Sequence, residues 1–251
     1  MRLRLSGQTF ALHLAASLVL AILPVQANAI DCGHVLLDRR SSLVCRVDVR
    51  KEPLRLFLND AAGNRLQTFA AINKVLGVHG ERLTFAMNAG MFHPGHAPVG
   101  LFIDGGQEIA PLNTSNGRGN FFLEPNGVFY VGRSGPAVVE TSQFLAVHDE
   151  VTLATQSGPL LVHGGIIHPG LLPKSTSRLI RNGVGIDRSG TAVFAISDDP
   201  MSLHEFARLF LEKLGCQEAL YFDGTVSSVY VPALQLNIQR ANLGPIIGVV
   251  E

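Results

Sequence analysis

Residues Leu83–Gly106 read LTFAMNAGMFHPGHAPVGLFIDGG, and the parsing of this stretch decides the fold. LTFAM and GLFID are short runs rich in β-branched, aromatic and aliphatic residues, bounded by glycine and proline, which predicts strand, turn, strand. The turn carries Asn88, Met91, His93 and His96 in place of generic connector residues. Working outward, the same rhythm recurs in PLRLFLND (53–60), GNFFLEPNGVFYVG (119–132), TLATQSGPLLVHGG (152–165), NGVGIDRSGTAVFAIS (182–197), ALYFDG (219–224), SSVYV (227–231) and PIIGVV (245–250). The Asn126–Gly127 pair between apolar runs predicts a hairpin. A strand followed by Gly-Gly occurs in both GLFIDGGQEIAP and GPLLVHGGIIHP, which suggests two related hairpins.

One helix stands out. SLHEFARLFLEKLG opens with Ser202 and carries Glu205 three residues on, the pattern of a capping box. Leu203, Phe206, Leu209, Phe210 and Leu214 share a helical face, and Gly215 is placed to end it. A second, weaker helix is expected at TFAAINKVLG (68–77). No linker or low-complexity segment divides the chain. The sum is a single α+β domain, β-rich and mixed, with the amphipathic helix packed on a sheet.

The N-terminus reads as a secretory leader. Arg2 and Arg4 precede an apolar run, Ala11–Val25, and Ala27–Ala29 supply small residues for cleavage. The expected organisation is a signal peptide over residues 1–29 and one domain over 30–251, exported to the periplasm or secreted, with no membrane attachment after cleavage. The 20 basic and 20 acidic residues balance without a basic block, which argues against nucleic acid or an anionic membrane as partner. In an oxidising compartment Cys32 and Cys45 can close a small loop, while Cys216 reads as a buried apolar side chain.

Five turns place polar groups at the ends of apolar strands: NAGMFH, GRGNFF, QSGP, RLIRNGVG and FDGTVSS. If the strands share a sheet, these ends converge on one rim suited to a polar, anionic ligand. Each residue also has a plainer reading. Asp223 before glycine can form an Asx turn, and Ser157 lacks the first glycine of a nucleophile elbow. The pairs His93/His96 and His163/His168 lack zinc-site spacing and read as loop histidines. Arg178 and Arg181 can be surface charges, Arg181 being the more suggestive.

At these turns the sequence resembles the phosphodiester glycosidase family, over nearly the whole chain beyond the leader, and most closely a bacterial branch of exported proteins. NAGMF carries the family's Asn88, Gly90 and Phe92. RNGVG carries Arg181 and Gly185, with Asn182 in place of threonine. DGTVS carries Asp223, Gly224 and Ser227, with Thr225 and Val226 in place of glycines. QSGP matches the family's strand-end turn. The resemblance implies hydrolysis of a small-molecule or glycan phosphodiester on its sugar side, with Asp223 and Arg181 catalytic. It implies substrate contacts from Asn88, Gly90, Asn120, Gln156, Ser157, Gly158, Asn182, Gly224 and Ser227. No cofactor is expected; a divalent cation, a metal-dependent phosphodiesterase and a non-catalytic binding module stay open.

Overall fold

The apolar runs become strands that pair antiparallel throughout, in a computed structural model that describes residues 30–147 and 150–251. The expected leader lies outside the described residues. A seven-stranded sheet runs Asp31–Leu37, Arg40–Val47, Ala192–Ser197, Asn182–Ile186, Glu218–Asp223, Leu160–His163, Ile166–Ile167. A second sheet, here the Leu83 sheet, orders Leu236–Ile238, Val229–Val231, Leu83–Asn88, Ile246–Val250 and Leu54–Phe57. A third, the Val151 sheet, orders Gln107–Ala110, Phe102–Asp104, Val151–Ser157, Gly127–Gly132 and Gly135–Glu140. The fold is α+β, strand-dominated, as the sequence reads.

All three sheets turn an apolar face into one core, where Leu43, Phe85, Phe102, Phe129, Phe194 and Phe222 meet. Burial of this aromatic and aliphatic area is the dominant favourable contribution to folding. The far face of the seven-stranded sheet is covered by the predicted helix. Ser202 accepts from the Glu205 N–H and Glu205 Oε2 accepts from the Ser202 N–H, completing the capping box. Residues Leu203–Arg208 are α-helical and Leu209–Lys213 continue as a π-helix, closing at Gly215 with φ 69°. Phe206, Ala207, Leu209 and Phe210 are buried against Val193, Ala195 and Ala219. The weaker helix forms over Phe69–Gly77, capped by the Thr68 hydroxyl, and packs on the Leu83 sheet through Phe69, Ile72 and Leu76.

Two local expectations meet different fates. Both Gly-Gly pairs close two-residue hairpins, with φ of 57° and 80° at Gly105 and Gly106 and of 57° and 74° at Gly164 and Gly165. Positive φ at both central positions matches the strand twist, which is why glycine occupies them. Asn126–Gly127, by contrast, is not a hairpin turn. Asn120–Phe122 form a 3-10 turn, and the Asn126 amide is buried where it donates to the Phe121 carbonyl at 2.8 Å. The hairpin forms one strand later, between Gly127–Gly132 and Gly135–Glu140. Cys32 and Cys45 face each other in register and are disulfide-bonded; Cys216 is free and buried.

Candidate functional site

The five turns do converge, at the end of the sheets where Asn88 and Asp223 end their strands and Asn182, just after Arg181, begins one. Asp223 lies opposite Asn182, while Tyr221 lies opposite Gly183, so Phe222 is an extra residue in its strand. Such a bulge re-aims the side chain that follows it. The extra residue's carbonyl accepts from the buried Ser157 hydroxyl at 3.1 Å. The Tyr221 N–H goes to the Pro159 carbonyl at 3.1 Å. Ser157 thereby supports the bulge, and among the described residues its hydroxyl bonds that carbonyl rather than a base.

Asp223 is half-buried and forms the Asx turn that its glycine neighbour suggests. Its Oδ1 accepts from the N–H groups of Gly224 at 2.5 Å, Thr225 at 2.5 Å and Val226 at 3.2 Å. Oδ2 has no hydrogen-bond partner among the described residues. One oxygen is therefore clamped and the other is left for an incoming group.

Arg181 is the largest fully buried side chain, 1% exposed. Its Nε donates to the Met201 carbonyl at 3.1 Å, Nη1 to the Tyr221 hydroxyl at 2.8 Å, and Nη2 to the Ser177 carbonyl at 3.1 Å and hydroxyl at 3.3 Å. Among the described residues no carboxylate pairs with it. A guanidinium this deep is normally paired; here carbonyl and hydroxyl dipoles hold it and its charge stays uncompensated. The guanidinium lies behind the Gly224 turn, where a β-carbon on that glycine would stand 2.8 Å from Arg181 Nη1.

The other expected contacts are mostly framework. Asn88 and Asn182 are fully buried and bond each other: Asn182 Nδ2 donates to the Asn88 carbonyl at 2.9 Å and to its Oδ1 at 3.1 Å. Asn88 Oδ1 also accepts from the Ser228 N–H at 2.8 Å, and the buried Ser227 hydroxyl donates within 2.9 Å of the Ile180 carbonyl. Gln156 spends its whole amide internally, accepting from the Leu101 and Asn113 N–H groups and donating to the Asn113 carbonyl and Thr141 hydroxyl. These side chains are buried and hydrogen-bonded to one another and to the backbone. Gly90 and Gly158 allow close approach, their β positions lying 3.2 Å from Thr155 Oγ1 and 2.5 Å from the Phe121 carbonyl. Asn120 is half-buried with no side-chain bond among the described residues, and so can still reach a ligand.

The opening turn thus splits. Asn88 belongs to the site's frame, whereas His93 is exposed and His96 stacks on Phe92, its Nδ1 3.0 Å from Gln67 Nε2. His163 pairs with Glu218, and His168 is bonded to the Glu124 carbonyl, so neither histidine pair converges. No group of three His, Cys, Asp or Glu side chains suited to a metal occurs among the described residues. Burial pushes the Cys216 thiol up to about 12, which keeps it from acting as a thiolate. Nothing in the sequence sets Tyr221 and Leu179 apart, because ALYF and RLI look like ordinary core strand and loop. A cavity of about 650 Å3, lined by Asp31, Arg46, Thr84, Thr191 and Glu251, lies at the opposite end of the sheets.

The sequence profile for phosphodiester glycosidases matches residues 81–248. The uncharacterized Escherichia coli K12 protein YigE is 34% identical over 223 residues, covering 89% of this chain and 87% of its own. Among solved structures, the catalytic domain of zebrafish N-acetylglucosamine-1-phosphodiester alpha-N-acetylglucosaminidase, auto-inhibited by its pro-peptide, is similar with a TM-score of 0.61 at 16% identity, over 88% of this chain and 81% of that one. A hypothetical protein from Synechocystis is similar with a TM-score of 0.55 at 17% identity, over 88% and 61%. At these identities the structural likeness speaks for the fold.

Proposed function

The chain belongs to the phosphodiester glycosidase family, and from that premise we propose that it hydrolyses a sugar-1-phosphodiester on the sugar side, releasing the sugar and a phosphomonoester. The observation that carries this reading is Asp223, with Oδ1 clamped by three backbone N–H groups and Oδ2 unengaged among the described residues, above a buried guanidinium that forms no ion pair with a described carboxylate. Glycosidases with alkoxide leaving groups need a carboxylic acid to protonate the departing oxygen as well as a second carboxylate. A phosphomonoester leaves as a stabilised anion, so one carboxylate suffices for the remaining task.

In this mechanism the bond between the anomeric carbon and the phosphate oxygen breaks, its electron pair leaving with the phosphate. Asp223 Oδ2 stabilises the positive charge that develops on the sugar, and water adds to the anomeric carbon. The water's proton passes through Asp223 to solvent or to the departing phosphate. Arg181 acts from below, its field favouring an anionic group over Gly224. Asn120 and the exposed Thr225 are the groups best placed for ligand contact. The reaction as written calls for no cofactor. Export to the periplasm or medium agrees with the Cys32–Cys45 disulfide, which is stable in an oxidising compartment.

A panel of sugar-1-phosphodiesters assayed in oxygen-18 water tests the reading. Label is expected in the released sugar. Label in the phosphate would make the protein a phosphodiesterase of the other kind, and binding without turnover would make it a binding module.

A further inference from the structure

We propose that Tyr221 is a positioning residue of this site: its buried hydroxyl holds the Arg181 guanidinium behind Gly224 and so fixes the turn that presents the Asp223 carboxylate. The inference rests on the site described above and adds a residue to it.

Packing alone does not explain a tyrosine here. The Tyr221 ring is 1% exposed and lies in an apolar cluster with Phe206, Phe210 and Leu161, where phenylalanine would fit equally well. Burying a phenolic oxygen is unfavourable unless it is bonded. Tyr221 meets that requirement through Arg181, whose Nη1 donates to it at 2.8 Å while the guanidinium carbon sits 5.6 Å from the ring centroid. The hydroxyl therefore exists for the arginine.

The choice of a phenol also preserves charge. Burial pushes the Tyr221 hydroxyl upward from its ordinary range, against the opposing pull of Arg181, which favours the neutral phenol. A carboxylate at this position would hold the guanidinium as firmly and cancel its charge. A neutral acceptor fixes the fork and leaves the positive field available to the surface above it.

Gly224 transmits this placement to Asp223. A β-carbon on Gly224 would collide with the Tyr221 hydroxyl oxygen and stand 2.8 Å from Arg181 Nη1. The backbone of the turn thus rests on those two atoms, and the N–H of the same glycine is the first to clamp Asp223 Oδ1. From Tyr221 the order of contact runs Arg181 and Gly224, then Asp223, with no slack between them.

The test is Tyr221→Phe, which keeps the ring and removes one oxygen. Hydrogen exchange at the Gly224, Thr225 and Val226 amides needs no substrate. It should accelerate by about tenfold or more, the loss expected when one hydrogen bond to a charged group goes, while the Phe69–Gly77 helix exchanges as before. A second variant guards against a general loosening: Gly224→Ala should melt well below wild type, and Gly224→Ala/Tyr221→Phe should melt above Gly224→Ala, because the oxygen that the new methyl strikes is gone. On a phosphodiester that the panel identifies, Tyr221→Phe should lower kcat by about tenfold with KM within about threefold. Wild-type exchange at the three amides, failure of the double variant to recover, or an unchanged kcat beside altered exchange would each overturn the proposal. If the panel yields no substrate, the hydrolase reading fails alone, since the exchange and melting results stand without it.

Discussion

Asp187 and Asp223 stand at opposite ends of one strand pairing, Asn182–Ile186 against Glu218–Asp223. Each has a single carboxylate oxygen held by three donors. Asp187 Oδ1 accepts from the Ser189 N–H at 2.9 Å, the Ser189 hydroxyl at 2.6 Å and the Thr191 N–H at 3.0 Å. Asp223 Oδ1 accepts from three successive backbone N–H groups. Viewed as turns, the two are equivalent. They differ in what lies beneath: the Asp187 turn closes a hairpin over exposed residues 188–190, whereas the Asp223 turn rests on a buried, uncompensated guanidinium. A clamped carboxylate is a structural device in both places, and the buried guanidinium below it is what sets the second apart.

Substituting both aspartates by asparagine puts that distinction at risk, and the largest effect is expected here. Asparagine keeps the carbonyl oxygen that accepts the turn's N–H groups. Asp223→Asn should therefore melt within about 1 kcal/mol of wild type yet lose turnover by about a hundredfold or more, the range for removing a charge-stabilising or proton-transferring group. Asp187→Asn should leave kinetics alone. Equal kinetic effects from the two would erase the comparison.

Arg181→Lys sharpens it next. A lysine carries one ammonium and cannot reproduce a fork whose three nitrogens reach Met201, Tyr221 and Ser177. Losing bonds to a charged group at a position 1% exposed should cost about 3 kcal/mol, with turnover falling as the turn loosens. Unaltered melting and kinetics would place Arg181 outside the site.

Much of this was legible in the sequence, for identifiable reasons. Strands bounded by glycine and asparagine announce where chains turn, so Asn88, Arg181 and Asp223 could be placed at strand ends and their convergence anticipated. Ser202 and Glu205 state a helix start within four residues, and the Gly-Gly hairpins follow from local backbone preference. What stayed hidden depends on partners far apart in the chain. Asn88 and Asn182 are 94 residues apart, and nothing local says that two amides will satisfy each other rather than a ligand. Gln156 is absorbed by a loop for the same reason. Tyr221 reads as core until Arg181 is seen behind it, and the bulge at Phe222 leaves no trace in the alternation of so short a strand. Asn126 misled because its turn chemistry was spent on the Phe121 carbonyl.

The disulfide belongs to the far half of the comparison. Cys45 lies opposite Phe194, in the strand that leaves the Asp187 hairpin. Replacing Cys32 and Cys45 by serine opens a loop with a sequence separation of 13 and should cost about 3 kcal/mol of stability, read by denaturant titration. Kinetics should not change. A loss of turnover at temperatures where the variant remains folded would tie this edge of the sheet to the rim and blur the division of labour between the two ends.

The smallest expected effect tests the Asp187 turn by itself. Burial disfavours the Asp187 charge, but the Ser189 and Thr191 hydrogen bonds outweigh it and hold the carboxyl below the usual range. A carboxyl whose native pKa is depressed contributes stability above its unfolded value, about 3.9, and loses that contribution as pH falls through the native value. Asp48, Asp60 and Glu205 are also held low, so acidification destabilises wild type at several positions together. Comparing wild type with Asp187→Asn cancels those shared contributions. The gap in melting temperature should be constant above about pH 5 and close as pH falls below the native value of Asp187. Its size should correspond to less than about 1 kcal/mol, because solvent screens a charge on a hairpin this open. A gap that persisted unchanged through the acid range would mean that the asparagine disturbs the packing of the turn, and the charge of Asp187 would then have no part in holding the far end of the strand pair.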